Sequence, residues 1–225
     1  MRGLFVTATD TGAGKTFVTA GLARLWRRER RPFRVCKPVA TGADNDWCED
    51  TRLLAEAAGD PDLAAITPYT FAAPAAPPVA ARLAGTSLRL ADLAAAVRRR
   101  TEGGNAVLVE GVGGFLCPLT ECETVADLAI ELALPLVVVT RRSLGTLNHT
   151  LLTVEAAQRR GLHLAGVVVT ATRPVSGVAE QTVLSELQHR LGVPLLSALP
   201  YQPNTDNAAM EELQAVDWWR LAHSI

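Results

Sequence analysis

Apolar positions along the chain fall into short continuous runs separated by stretches with a helical period. "GLFVT" (3–7), "FRVCKP" (33–38), "AVLVEG" (106–111), "LPLVVVT" (134–140), "LAGVVVT" (164–170) and "VPLLSALP" (193–200) read as strands. Most are continuous rather than alternating, the pattern of strands buried on both faces of a parallel sheet. Between them the apolar spacing predicts helices over 15–30, 50–58, 89–101, 124–132, 146–160 and 177–191. Strand–helix alternation along the whole length predicts an α/β fold with a doubly wound, mostly parallel sheet flanked by helices. No internal repeat and no linker interrupts it, so residues 1–225 are expected to form a single domain.

Two segments break this rhythm. "TPYTFAAPAAPP" (67–78) is too rich in Ala and Pro for a long helix and reads first as a surface loop. "LPYQPNTDNAA" (199–209) follows the last strand and reads as a loop at the carboxyl edge, where open α/β sheets bind ligands.

The strongest local signal is "TATDTGAGKTF" (7–17), which stands where the first strand turns into the first helix. Gly14-Lys15-Thr16 matches the end of a phosphate-binding loop, although the strict G-x-x-x-x-G-K-S/T pattern asks for a glycine where Thr9 stands. Gly12 and Gly14 let the backbone turn so that amides at the helix N-terminus face an anion. In such a loop Lys15 reaches the β- and γ-phosphates, and the Thr16 hydroxyl ligates Mg²⁺. The expected fold is therefore P-loop NTPase-like.

Composition narrows the classes without changing this picture. The 225 residues are 48% hydrophobic with a formal charge of −1, so neither nucleic acid nor an anionic membrane is favoured as partner. The basic run "RRERR" (27–31) closes a predicted helix before Pro32, where cations complement the helix dipole. Cys36, Cys48, Cys117 and Cys122 form no C-x-x-C, which favours scattered thiols in a reducing compartment over a metal site. The first apolar run is too short for a signal peptide and none is long enough to span a bilayer, so a cytoplasmic protein is expected.

A P-loop needs a further metal-holding carboxylate at a strand end. "AVLVEG" supplies Glu110, whose carboxylate either points into solvent or pairs with a cation, because a buried lone charge is costly. The turn "EGVGG" then offers amides to a phosphate or substrate. "CKPVATG" (36–42) puts Lys37 at another strand end, with Thr41 and Gly42 close behind. A second lysine there suits the charge that develops in phosphoryl transfer. Asp50 opens a helix and either caps it or turns its carboxylate toward the metal.

These pieces together resemble the dethiobiotin synthetase family, within the superfamily that includes MinD and ParA. The family loop, G-T-D-T-x-x-G-K-T, is one residue longer than the common form, which accounts for Thr9; Ala8 here stands at its first glycine. "KPVATG", "TPYTFAAPAAPP", "VEGVGG" and "PLVVVTRRSLGTLNHTLLT" are similar to the family's K-P-V-x-S/T-G, its P-Y-x-F-x-x-P-x-x-P, its V-E-G-A-G-G, and its strand followed by L-G-x-I/L-N-H. They occur in the family's order over nearly the whole chain.

The resemblance implies an ATP-dependent ligase that carboxylates 7,8-diaminononanoate with CO₂ and closes the ureido ring of dethiobiotin, with Mg²⁺ as cofactor. It implies Lys37 and Lys15 as catalytic lysines, and Thr16, Asp50 and Glu110 as metal ligands. Nucleotide-binding positions would be Gly12, Ala13, Gly14, Lys15, Thr16, Phe17, Asp50, Glu110, Gly111, Val112 and Gly113. A late group adds Thr170, Ala171, Pro200, Tyr201, Gln202 and Asp206; the family commonly has Asn-Asp where Thr170-Ala171 stand. Thr11 and Thr41 would contact the diamine or its carbamate. Gly145 and Asn148 would bind the substrate's carboxylate tail across a homodimer interface, with His149 structural. The alternatives are a MinD- or ParA-like dimerising ATPase, disfavoured because 8–13 contains no lysine, and a catalytically degenerate nucleotide-binding homologue. A corrin-directed amide synthase and a GTP switch fit less well.

Overall fold

The structure is a computed structural model that describes residues 1–44, 46–201 and 207–224, with backbone alone for 207–209. Its strands are β1 (Gly3–Ala8), β2 (Phe33–Cys36), β3 (Val39–Thr41), β4 (Tyr69–Phe71), β5 (Ala106–Glu110), β6 (Leu136–Arg141), β7 (Leu164–Thr170) and β8 (Leu195–Leu199). Its helices are α1 (Lys15–Arg28), α2 (Glu49–Ala58), α3 (Leu63–Ile66), α4 (Pro77–Leu83), α5 (Leu90–Arg99), α6 (Val125–Leu132), α7 (Thr146–Arg159), α8 (Val178–Arg190), α9 (Asn207–Gln214) and α10 (Trp218–Leu221).

The expected strands join one six-stranded sheet in the order β2-β5-β1-β6-β7-β8, and every pair within it is parallel. β1 is buried along its whole length, which is why its sequence is apolar without alternation. Alternate residues face opposite layers. Leu4, Val6 and Ala8 join the layer of α1 and α2 with Leu22, Trp26 and Leu54, and α10 adds Trp218. Phe5 joins the other layer, with Leu93 of α5, Leu128 of α6, Val154 of α7 and Leu187 of α8. From β1 the chain moves outward to β2; from β5 it crosses β1 to reach β6. Right-handed crossovers in opposite directions put helices on opposite faces, and a crevice opens at the carboxyl ends of β1 and β5.

Two of the expected boundaries shift for a simple reason. β2 stops at Cys36 instead of 38, because Pro38 has no N–H to give and the amide of Lys37 turns away to the carbonyl of Ile66 at 2.8 Å. β6 starts at Leu136, just after Pro135.

The segment 67–78 is not the loop it reads as. Tyr69–Phe71 pairs parallel with Val39–Thr41 as a second, two-stranded sheet, and α4 starts with prolines in its first turn, where a missing N–H costs nothing. The stretch 199–209 likewise ends inside α9, which starts at Asn207. No helix among the described residues is long and apolar enough to cross a membrane.

Glu180 fastens the start of α8. Its carboxylate accepts from the amides of Gly177 and Ser176, both at 2.9 Å, and from Arg173 at 2.6 Å. These amides, and then the Arg173 guanidinium, lower its pKa from 4.5 to about 2. A lowered carboxyl value stabilises the fold above the ordinary value and loses that effect as pH falls toward the folded one. The urea midpoint of Glu180→Gln should therefore lie below wild type at pH 6, and the gap should close between about pH 4.5 and 2. In the core, Leu108 is fully buried in β5. Leu108→Ala should cost about 2–5 kcal/mol in urea denaturation.

Candidate functional site

The loop after β1 is shaped by two glycines. Gly12 and Gly14 have φ of 71° and 89°, the left-handed region that an L side chain resists. A Cβ on Gly14 would also come within 3.1 Å of Thr170. Ala8, at the family's first glycine, is the extended last residue of β1 and has no positive φ, so its methyl is accommodated without strain. Gly14 then caps α1, which has no side-chain cap and no acid in its first turn. Its free amides and dipole favour an anion.

These elements border a cavity of about 750 Å³. Its lining includes the loop itself, with Thr11, Gly12, Gly14, Lys15, Thr16 and Phe17, together with Lys37, Thr41, Asp50, Val112 and Gly113. Ala40, 74–77 and Cys117 line it too, residues that sequence reasoning did not assign. The one available signal was the doubled proline at 77–78, an N-terminal helix mark inside an apparent loop. Ala13, Glu110 and Gly111 lie buried just behind the lining.

Charge is concentrated at the floor. Val6 of β1 is in register with Glu110, and Cys36 of β2 with Val109, so Lys37 and Glu110 meet at the same sheet edge. Lys37 is 4% exposed and Glu110 fully buried, with Nζ 2.7 Å from Glu110 Oε1. Lys37 also donates to Asp50 at the start of α2. Thr16 Oγ1 donates to Glu110 Oε1 at 2.8 Å, and Lys15 Nζ to the carbonyl of Gly113 at 2.5 Å.

The two lysines respond in opposite ways. Burial pushes the Lys15 pKa down more than the Glu110 carboxylate raises it, leaving an ammonium short of negative partners. Burial acts on Lys37 too, but Glu110 and Asp50 overcome it and hold that ammonium above the ordinary lysine range. Asp50 is drawn below its ordinary value by Lys37, against the opposing effect of its own burial.

The donors also suit a small hard cation. Glu110 Oε2 is buried with no hydrogen-bond partner, a state that costs free energy until something is bound. Beside it are the Thr16 hydroxyl and, through Lys37, the Asp50 carboxylate. Two carboxylates and a hydroxyl fit Mg²⁺, which completes its shell with water and phosphate.

The other expected positions are not part of this cavity's lining. Thr170 is buried, and its hydroxyl donates to the carbonyl of Ala13 at 2.6 Å, so it braces the loop from behind rather than facing the cavity. Ala171 is 8% exposed. Gly145 and Asn148 lie exposed at the start of α7, and Pro200 and Tyr201 are exposed after β8. Gln202 and Asp206 lie outside the described residues.

A family model described as an AAA domain matches residues 2–209. The ATP-dependent dethiobiotin synthetase BioD of Anaeromyxobacter dehalogenans strain 2CP-C is 46% identical over 205 residues, 91% of this chain and 92% of that protein. The chain belongs to the dethiobiotin synthetase family. The enzyme of the same name from Bacillus velezensis is 38% identical over 216 residues, 95% of this chain and 91% of its own. Among solved structures, the signal recognition particle receptor FtsY from Elizabethkingia anophelis has a TM-score of 0.56 at 14% identity, covering 99% of this chain. The chain spans 64% of that receptor's length. Chloroplast FtsY from Physcomitrella patens gives 0.53 at 17% identity, over 94% of this chain and 65% of its own. At these identities the likeness is one of fold, and it puts the synthetase family on the P-loop α/β architecture.

The buried ion pair sets a stability test. Lys37→Met should leave the Glu110 carboxylate buried without its counter-charge and cost about 3–5 kcal/mol in urea denaturation. Adding Glu110→Gln should recover part of that loss, a non-additivity that a double-mutant cycle reads directly. A raised lysine value stabilises below the ordinary 10.5 and fades as pH climbs through the folded one. The deficit of Lys37→Met should thus persist at neutral pH.

Proposed function

We propose that the chain is an ATP-dependent dethiobiotin synthetase acting on 7,8-diaminononanoate and CO₂. What carries the reading is the convergence of Lys15, Thr16, Lys37, Asp50 and buried Glu110 at one cavity floor, in a chain of this family. Such chemistry asks for positioning and positive charge rather than a protein nucleophile.

In this reading one amine of the diamine adds to CO₂ and loses a proton, giving a carbamate. A carbamate oxygen takes the γ-phosphoryl group of ATP and ADP departs. The second amine then attacks the carbamate carbon and gives up a proton, phosphate leaves, and the cyclic urea is closed. The amides of 12–17 and 110–113 hold the triphosphate. Lys15, whose nearby carboxylates do not make up for its burial, donates to the β- and γ-phosphates, while Lys37 neutralises charge on the group in flight. Thr16, Asp50 and Glu110 would hold Mg²⁺, which screens the polyphosphate when bound. Thr11 and Thr41 contact the diamine or its carbamate.

We further propose a homodimer in which the start of α7, with Gly145 and Asn148, receives the substrate carboxylate of the partner site. Leu144, 84% exposed just before the helix, and Leu152, 56% exposed within it, support burial of that face. The late nucleotide positions Thr170, Ala171, Pro200, Tyr201, Gln202 and Asp206 remain proposed, Thr170 now acting through the loop. The expected setting is the cytoplasm.

Phosphate release should require ATP, Mg²⁺, bicarbonate and the diamine together and should match dethiobiotin formed. Lys37→Ala should lower kcat at least a hundredfold, about 2.7 kcal/mol. Release that ignores the diamine would overturn the synthetase reading.

A further inference from the structure

A set of threonines stands behind the cavity and touches the loop that forms it. Thr140 near the end of β6 and Thr150 in α7 are fully buried, and Thr146 and Thr170 are 3% exposed. After the apolar run Leu136–Val139 of that strand, a buried hydroxyl costs desolvation that a partner must offset. Thr140 Oγ1 has two neighbours of its own kind, Thr150 Oγ1 at 2.9 Å and Thr9 Oγ1 at 3.3 Å. Thr150 Oγ1 lies in turn 2.7 Å from the carbonyl of Thr146.

Thr150 Oγ1 is placed to donate both to the Thr146 carbonyl and to Thr140 Oγ1, sharing its one proton between them. Between Thr140 and Thr9 either hydroxyl can donate. Hydroxyl contacts thus run without a break from Thr9 in the P-loop, through β6, to the first turn of α7. The Thr146 hydroxyl donates to the carbonyl of Arg141, which pins that turn to the same strand end. The far side of the loop is tied there as well. Thr170 Oγ1 donates to Ala13 and lies 3.3 Å from the carbonyl of Thr140. The exposed Asp10–Arg141 pair at 3.0 Å spans the same gap, but at that exposure it contributes little.

Valine would fill the space of Thr140 equally well beside Val137, Val138 and Val139, so packing alone does not call for the hydroxyl. We propose that Thr140 is a positioning residue that couples the P-loop to the first turn of α7, so that a nucleotide seated on the loop also orders that turn. The inference rests on the reading that the loop binds a nucleotide and on no later step of the reaction. Its consequence for that reaction is an order of events. The α7 N-terminus, whose Gly145 cap has no side-chain partner, is held more firmly once the triphosphate is in place.

Hydrogen–deuterium exchange on the full chain, with and without Mg²⁺ and the β,γ-imido analogue of ATP, tests this. In wild type the analogue should slow exchange in 9–16 and, at least fivefold, in 145–150. In Thr140→Val the loop should still be protected while the α7 effect falls below twofold, and Thr140→Ser should restore it. Thr150→Val breaks the same chain from the helix side and should repeat the loss, which keeps the test open should Thr140→Val fold poorly. Loop protection without α7 protection in wild type would overturn the coupling, as would α7 protection of wild-type size in both valine variants. Absence of protection in both segments of wild type would overturn the nucleotide reading along with it.

Discussion

The pairing of Lys37 with Glu110 is the constraint around which the sheet edge is organised. Both charges are buried, and the solvation they lose is returned only by close geometry and further hydrogen bonds. Thr16 and Asp50 supply those bonds. Four elements meet at this point, because Glu110 ends β5, Lys37 follows β2, Asp50 opens α2 and Thr16 opens α1. The register of β1 and β2 on β5 brings them there. A slip of one residue would turn Glu110 to the opposite layer and leave its charge in hydrocarbon. The register and the ion pair therefore depend on each other.

Two lysines at one floor do different work because their surroundings differ. Lys37 has its negative partners, Glu110 and Asp50, built in, and they hold its ammonium above the ordinary lysine range. Lys15 is buried beside a carbonyl and near a like charge, so its ammonium is held at some cost. An arriving polyphosphate relieves that cost. In the proposed reaction, recognition and catalysis would draw on separate stores of positive charge, one strained toward an anion and one already compensated.

The sheet was legible because its strands are buried on both faces, so apolar runs mark them without ambiguity. Lys37 and Glu110 were legible because each ends or follows such a run, Lys15 and Thr16 because they close the loop motif, and Asp50 because it opens a predicted helix. Hidden from the sequence were features made by contacts distant along the chain. Tyr69–Phe71 becomes a strand only because Val39–Thr41 is available to pair with it, and a three-residue pair carries too little pattern to notice. The stretch 74–77 reads as loop because its side chains are small and its density of prolines masks the one mark of a helix start, the pair at 77–78. Thr170 sits where the family pattern suggests a nucleotide contact. Its hydroxyl instead meets a carbonyl 157 positions earlier, which no local pattern encodes.

The central place of β1 also governs when this site can exist. β1 is synthesised before the two strands it pairs with, β5 and β6, which end at Glu110 and Arg141. Until those residues have left the ribosome, an apolar strand and a glycine-rich loop have nothing to lie between. Contacts so far apart make closure slow and leave nascent β1 exposed to association. The loop that would hold the phosphates is thus made well before the strands that give it shape.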